Sequence, residues 1–186
     1  MKRTMKKLVL VFMAVAMLAA FMGGCGGSAT ADGVVNDFLT AVKSGDLEKA
    51  AKYVSGNDGA NLSELTESYT DKMVKAMFAK YSFEKPKLVS EDGNKAKVTA
   101  KITSVDFSAV MEQVIAAAME AALSGETDIS EEKMTQMFVD AMTSNDAELV
   151  EREITFNLVK EGGSYKIEPD ENLLEAILAG SSELDF

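Results

Sequence analysis

Between Lys95 and Thr103 the chain alternates without interruption. Ala96, Val98, Ala100 and Ile102 are apolar; Lys95, Lys97, Thr99, Lys101 and Thr103 are polar. A period of two over this length is a strand with one buried and one wet face, and it commits the chain to an antiparallel sheet lying on a core. Phe83 to Val89 reads as the strand before it, broken by Pro86, which has no N–H for a ladder. Phe83 and Val89 share parity and Leu88 does not, so the spacing predicts a bulge or an edge position there. Asp92-Gly93 suits a two-residue type I′ hairpin. Further on, Val150, Ile154, Phe156 and Leu158 fall on one face of a second long strand, interrupted by Arg152. Gly162-Gly163 turns it back into a short strand with Tyr165 and Ile167, a turn that pairs Leu158 with Ile167.

The remaining segments have helical spacing. Asp32 is placed to cap a helix carrying Val34, Val35, Phe38, Leu39 and Val42, and Gly45 stops it. Asp46 caps a short second helix with Leu47, Ala50, Ala51 and Val54. After the Gly56–Gly59 loop, Leu62, Leu65, Tyr69, Met73, Ala76 and Met77 predict one longer helix. Ser108 opens a segment, closed by Gly125, whose few polar positions are chiefly Glu112, Gln113 and Glu120; a helix so apolar is expected to be buried. Asp128 with Glu131 resembles a capping box for the next helix, striped by Met134, Met137, Phe138, Ala141 and Met142. Pro169 and Asp170 start a last helix with Leu173, Leu174, Ile177 and Leu178, and 181–186 is a loose tail. This order predicts an α+β fold: a curved antiparallel sheet of about four strands packed against helices, with a two-helix insertion between the hairpins.

Composition removes several chemistries. The 186 residues include no His and one Cys, which excludes Ser-His-Asp and Cys-His catalysis, an imidazole zinc site and an internal disulfide. A net charge of -11 argues against nucleic acid as a partner. The N-terminus is different in kind. Lys2, Arg3, Lys6 and Lys7 precede fifteen residues without a polar side chain, Leu8 to Met22, and then Gly23-Gly24-Cys25. A basic start, a short apolar run and small residues at a cleavage point describe a secretory signal peptide, and the run is shorter than the roughly 20 residues a spanning helix needs.

Phe21-Met22-Gly23-Gly24-Cys25 resembles a bacterial lipobox. The resemblance implies cleavage before Cys25, diacylation of Cys25 and a membrane partner reached through the acyl chains. The expected location is the outer face of the bacterial cytoplasmic membrane. Residues 1–24 are then the signal peptide, 25–31 a lipidated tether, and 32–186 a single α+β domain with a helical insertion at 108–143. Losing the four basic leader residues leaves 15 Lys and Arg against 30 Asp and Glu, a mature charge of -15. The stretch Phe38 to Tyr53, with its Gly45-Asp46 break between two helices, resembles the opening of nuclear-transport-factor-2-like (cystatin-like) domains, which wrap a curved antiparallel sheet around such helices. Lipoproteins of Gram-positive bacteria carry domains of this kind directly after a lipobox. Enzymes of that fold, of the ketosteroid-isomerase type, use a buried Asp base and a Tyr donor; Asp106 with Tyr53, Tyr69, Tyr81 or Tyr165 would supply those residue types here.

No motif assigns those roles. Ser130-Glu131-Glu132-Lys133 has the SxxK spacing of serine acyl enzymes but no KTG or SDN accompanies it, so it reads as an exposed helix start. Glu126, Asp128, Glu131 and Glu132 lack calcium-loop spacing, so neither metal nor cofactor is expected. Methionine is the most informative residue. Seven remain in the mature chain, five of them between Ser108 and Thr143. Flexible, polarizable Met suits surfaces that accept varied apolar partners, although a Met stripe is more often simple core. The expected function is an extracytoplasmic, lipid-anchored and non-enzymatic binding module for an apolar small molecule or an envelope protein. Its contacts would come from Met111, Met119, Met134, Met137, Phe138 and Met142 with the sheet residues Val98, Ile102 and Phe156. An isomerase- or dehydratase-type pocket enzyme, or a structural spacer, are the alternatives.

Overall fold

The computed structural model describes residues 30–56, 70–125 and 130–177. Cys25, the tether before Thr30, Leu62, Leu65, Tyr69, Glu126, Asp128 and the tail lie outside the described residues. Helix α1 (Ala31–Lys43) is followed by α2 (Leu47–Ala51) and α3 (Asp71–Phe78). Strands β1 (Ser82–Phe83), β2 (Lys87–Asp92) and β3 (Lys95–Val105) come next. Helices α4 (Phe107–Leu123) and α5 (Glu131–Thr143) then separate β3 from β4 (Leu149–Glu161), and β5 (Ser164–Ile167) and α6 (Glu171–Ile177) end the described chain.

Thr30, not Asp32, caps α1: its side-chain oxygen accepts from the Gly33 N–H. At the other end Gly45 adopts φ +74, a conformation that favours glycine, while a Cβ there would make only ordinary contact with Val74 at 3.5 Å. Asp46 caps α2 through the Lys49 N–H at 2.9 Å. Of the helix expected over Leu62 to Met77, the described part begins only at Asp71, because Thr70 has an extended backbone (φ -67, ψ 152) and its hydroxyl accepts from the Met73 N–H as the cap of α3. Ser130 caps α5, the position expected two residues earlier at Asp128.

The sheet is antiparallel, in the order β1/β2-β3-β4-β5, and curls into a half-barrel against the helices. β3 and β4 pair along their whole length, from Lys95 opposite Val159 to Val105 opposite Leu149. β1 and β2 share the other edge of β3, divided at Pro86, with a register shift between Leu88 and Ser90. Leu158 lies opposite Ile167 as the Gly162-Gly163 turn requires, both glycines having positive φ. The free edge of β5 is covered by residues 53–55, which bond it through Ser55 N–H to Ile167 C=O and Ile167 N–H to Tyr53 C=O.

Two apolar clusters follow from this layout. The main one joins α1, α2, α6 and the inner face of the sheet: Phe38, Leu39, Val98, Ile102, Phe156, Leu158 and Ile167 are almost wholly buried, and the Phe38 and Phe156 rings meet edge to face at 6.1 Å. A smaller one lies under the helical pair, joining Ala76 of α3, Val105, Val110, Val114, Phe138 and Met142. Met77, partly buried, packs against both.

Candidate functional site: the α4–α5 helical pair

β3 runs directly into α4. The Asp106 N–H donates to the Glu148 C=O, which keeps the ends of β3 and β4 together. Asp106 Oδ1 then accepts from the Ser108 and Ala109 N–H groups at 2.9 and 3.3 Å, satisfying donors that a helix start leaves unpaired. α5 packs back along α4 and also against α3. Phe107 and Phe138 meet edge to face at 6.1 Å beneath them.

One neighbouring helix covers only one stripe of α4. Of its 17 residues only Val110 and Val114 are fully buried. On the opposite side, Ile115, Met119 and Leu123 recur every four residues and so form one line. They are 55%, 61% and 87% exposed. Exposed Ala116 and Ala122 flank the line. The expectation that so apolar a helix is buried is therefore corrected for this face.

The residues expected to make contacts divide into three groups. Val98, Ile102 and Phe156 belong to the main core beneath α1. Phe138 and Met142 are buried in the second cluster, with Met111 and Met137 packed against it. Met119 and Met134 reach solvent. The structure does not bring the sheet residues and the exposed methionines onto one surface. Sequence reasoning missed Ile115 and Leu123 as surface residues. Their spacing with Met119 was available, but which side of an all-apolar helix meets its neighbour is decided by packing.

Among the polar groups considered for chemistry, Asp106, Tyr81 and Tyr165 have structural partners. Asp106 is the α4 cap. The Tyr81 hydroxyl donates to the Ala176 C=O at 2.6 Å, and burial pushes its phenol far above the usual range. The Tyr165 hydroxyl donates to Glu91, whose carboxylate also meets Lys160 Nζ at 3.2 Å, while that ammonium lies 4.6 Å from the centre of the Tyr165 ring. The Tyr165 hydrogen bond and then Lys160 hold the Glu91 carboxyl below its usual range; Tyr165 and then Glu91 hold the Lys160 ammonium above its own. Open clefts of about 470 and 320 Å³ lie on the surface. The first is lined by Thr70, Lys72, Glu131, Glu132, Thr135 and Gln136 at the starts of α3 and α5; the second lies beside Lys43, Lys75 and Tyr81. Among the described residues no carboxylate or thiol cluster is arranged to hold a metal ion, and no helix is long and apolar enough to cross a membrane.

Residues 28–178 match the model of a domain of unknown function, DUF5105. The chain belongs to the DUF5105 family. The match takes in every described element of the DUF5105 domain, from α1 to α6. A crystal structure of YcdA, a candidate lipoprotein of Bacillus subtilis subsp. subtilis str. 168, is similar over 78% of this chain, at 19% identity and a TM-score of 0.43. The DUF5105 chain spans 45% of that protein's chain. No curated protein matches it.

Proposed function

We propose that this DUF5105 chain is an extracytoplasmic lipoprotein, held at the outer face of the cytoplasmic membrane by Cys25, that docks a protein through the outward face of α4. The observation that carries the docking reading is the line Ile115, Met119 and Leu123, left in water on a helix that buries two of its 17 residues. Together these side chains present on the order of a few hundred Å² of apolar surface, the size of the largest patch on a typical monomer, which is often functional. The anchoring reading is carried by the basic leader, its short apolar run and the Gly-Gly-Cys that ends it. A small apolar ligand is the weaker reading, because Val98, Ile102 and Phe156 are at most 1% exposed and reaching them requires displacing α1.

Acylation consumes the only thiol in the chain, so Met119→Cys creates a unique reactive probe. Its labelling by a water-soluble maleimide is compared between intact cells and the purified lipoprotein. Slowing of about tenfold or more in cells, absent at a Glu161→Cys control on the β4–β5 turn, is expected of a covered face. Equal rates at both positions would sink the docking reading. Release of the Cys25→Ala protein from the membrane fraction tests the anchor separately.

A further inference from the structure

We infer that the occupant of the α4 face is an amphipathic helix of another protein whose apolar side is flanked by lysine or arginine. The inference rests on the docking reading above and adds the chemistry of the partner. Residues 106–146, which comprise α4, α5 and their connections, contain nine acidic residues (Asp106, Glu112, Glu120, Glu126, Asp128, Glu131, Glu132, Asp140, Asp146) and one basic residue, Lys133. That net charge of -8 is about half of the mature chain's -15 in a quarter of its length. α4 itself has no Lys or Arg. Glu112 lies one turn before Ile115 and Ala116, at the end of the apolar line, and Glu120 lies directly beside Met119; both are exposed.

Charge therefore selects among the surfaces that could cover the line. A second copy would set the same acidic segment against this one, and the apolar area falls short of the roughly 800 Å² a side of a stable dimer. An anionic bilayer is repelled for the same reason. A straight apolar line about 12 Å long, two turns of helix, suits the i, i+4 anchors of another helix. Basic flanks on that helix would meet Glu112 and Glu120, giving orientation and rate of encounter more than affinity.

The test uses the full lipidated chain in phosphatidylcholine nanodiscs, with empty nanodiscs as the blank. Three synthetic helices share one leucine/alanine face and carry lysine, glutamine or glutamate on their flanks. The expected result is saturable binding of the lysine helix that weakens about tenfold in Met119→Ser or Leu123→Ser. It should weaken about threefold in Glu112→Gln with Glu120→Gln, and fall as salt rises from about 0.1 M to 0.5 M. Equal binding of the lysine and glutamine helices, still lost in Met119→Ser, would overturn the basic partner and leave the docking face standing. Binding unchanged by Met119→Ser and Leu123→Ser would overturn both. Failure of the lysine helix to bind, or self-association of the chain that Met119→Ser abolishes, would also overturn the inference, the latter in favour of a second copy.

Discussion

The Tyr165 hydroxyl donates to the Glu91 carboxylate and so joins β5 to β2 across the two strands between them. Register explains how side chains on opposite edges can meet. Glu91 lies opposite Ala96, Ala96 opposite Leu158, and Leu158 opposite Ile167, so all four share the inner face; Tyr165 and Lys160, opposite each other, stand on the same face one step nearer the turns. Ala96 is the small residue in that row. It leaves room for the long Glu91 and Tyr165 side chains to pass over it and close this end of the half-barrel.

This clasp predicts a pH dependence. The Glu91 carboxyl is held below its usual 4.5 by Tyr165 and Lys160. A depressed folded value contributes stability that is present above the usual carboxylate value and disappears as pH falls through the lowered one. Glu91→Gln should therefore lower the Tm relative to the wild type at pH 7, and the gap should narrow at an acid pH below the usual carboxylate range. Thermal melts at the two pH values check it. Glu91 is exposed, so the gap is expected to be small and to shrink with salt. A gap that is the same at both pH values would mean that the lowered carboxyl contributes nothing.

Arg152 occupies the one position that interrupts the apolar face of β4, and the register shows why it is tolerated. It lies opposite Ile102, facing the core, but at the end where α6 supplies Glu175; Arg152 Nη1 and Glu175 Oε1 are 2.8 Å apart. Both side chains are about three-quarters buried. Arg152 Nε is buried without a hydrogen-bond partner among the described residues, so the pair is incompletely satisfied. Removing one partner should therefore be worse than removing the charge and its desolvation together. Urea denaturation is expected to show Glu175→Gln losing about 1–2 kcal/mol, and the double variant Arg152→Met with Glu175→Gln losing less than that. A double variant at least as unstable as Glu175→Gln alone would show that the pair is a net stabiliser.

How far the residues foretell this architecture depends on the range of the cause. The alternation at 95–103, the break at Pro86 and the pairing of Leu158 with Ile167 are local, because pleat and turn length alone fix them. The division between α1-covered sheet and helical pair is not local. Val98, Ile102 and Phe156 look like Met137 or Met142 in composition, yet α1 fills the inner face of the sheet and leaves the methionines to a separate cluster. Likewise the apolar pattern of α4 gives its hydrophobicity but not its number of neighbours, and that number decides that Ile115, Met119 and Leu123 are surface. The Arg152–Glu175 and Tyr165–Glu91 partnerships join residues 23 and 74 positions apart, which no periodicity encodes.

Tyr81 ties α6 to the segment between α3 and β1 through the Ala176 carbonyl, and it does so from inside the core, against the edge of Phe78 at 5.8 Å. Burial raises its phenol far above the usual 10.0. For a group raised in the folded state, the stability it contributes is present below the unfolded value and is lost as pH climbs above it. The wild type should therefore lose stability steeply above about pH 10, and Tyr81→Phe should lose it less steeply. At pH 7 the Phe variant should be less stable by about 1 kcal/mol, the net worth of the missing hydrogen bond. Thermal melts between pH 7 and 11 separate the two effects. Parallel curves for the two proteins would assign alkaline unfolding to other groups.

Asp106 distinguishes a helix cap from a catalytic base by its response to substitution. Its Oδ1 accepts from two backbone N–H groups, and its own N–H is taken by Glu148, so the residue fixes both the start of α4 and the exit from β3. Asn offers an oxygen in the same place and keeps the cap; Ala does not. Asp106→Ala should cost about 1 kcal/mol in urea denaturation, while Asp106→Asn should stay within a few tenths of the wild type. Because the outward line of α4 begins nine residues further on, the cap variant also has a consequence for docking: a frayed first turn leaves Ile115, Met119 and Leu123 on intact helix. Asp106→Ala should therefore unfold more easily yet bind the lysine-flanked helix as well as the wild type at temperatures where both are folded. If Asp106→Asn destabilised the protein as much as Asp106→Ala, the carboxylate charge at the positive end of α4, rather than the hydrogen-bonding oxygen, would be the stabilising element.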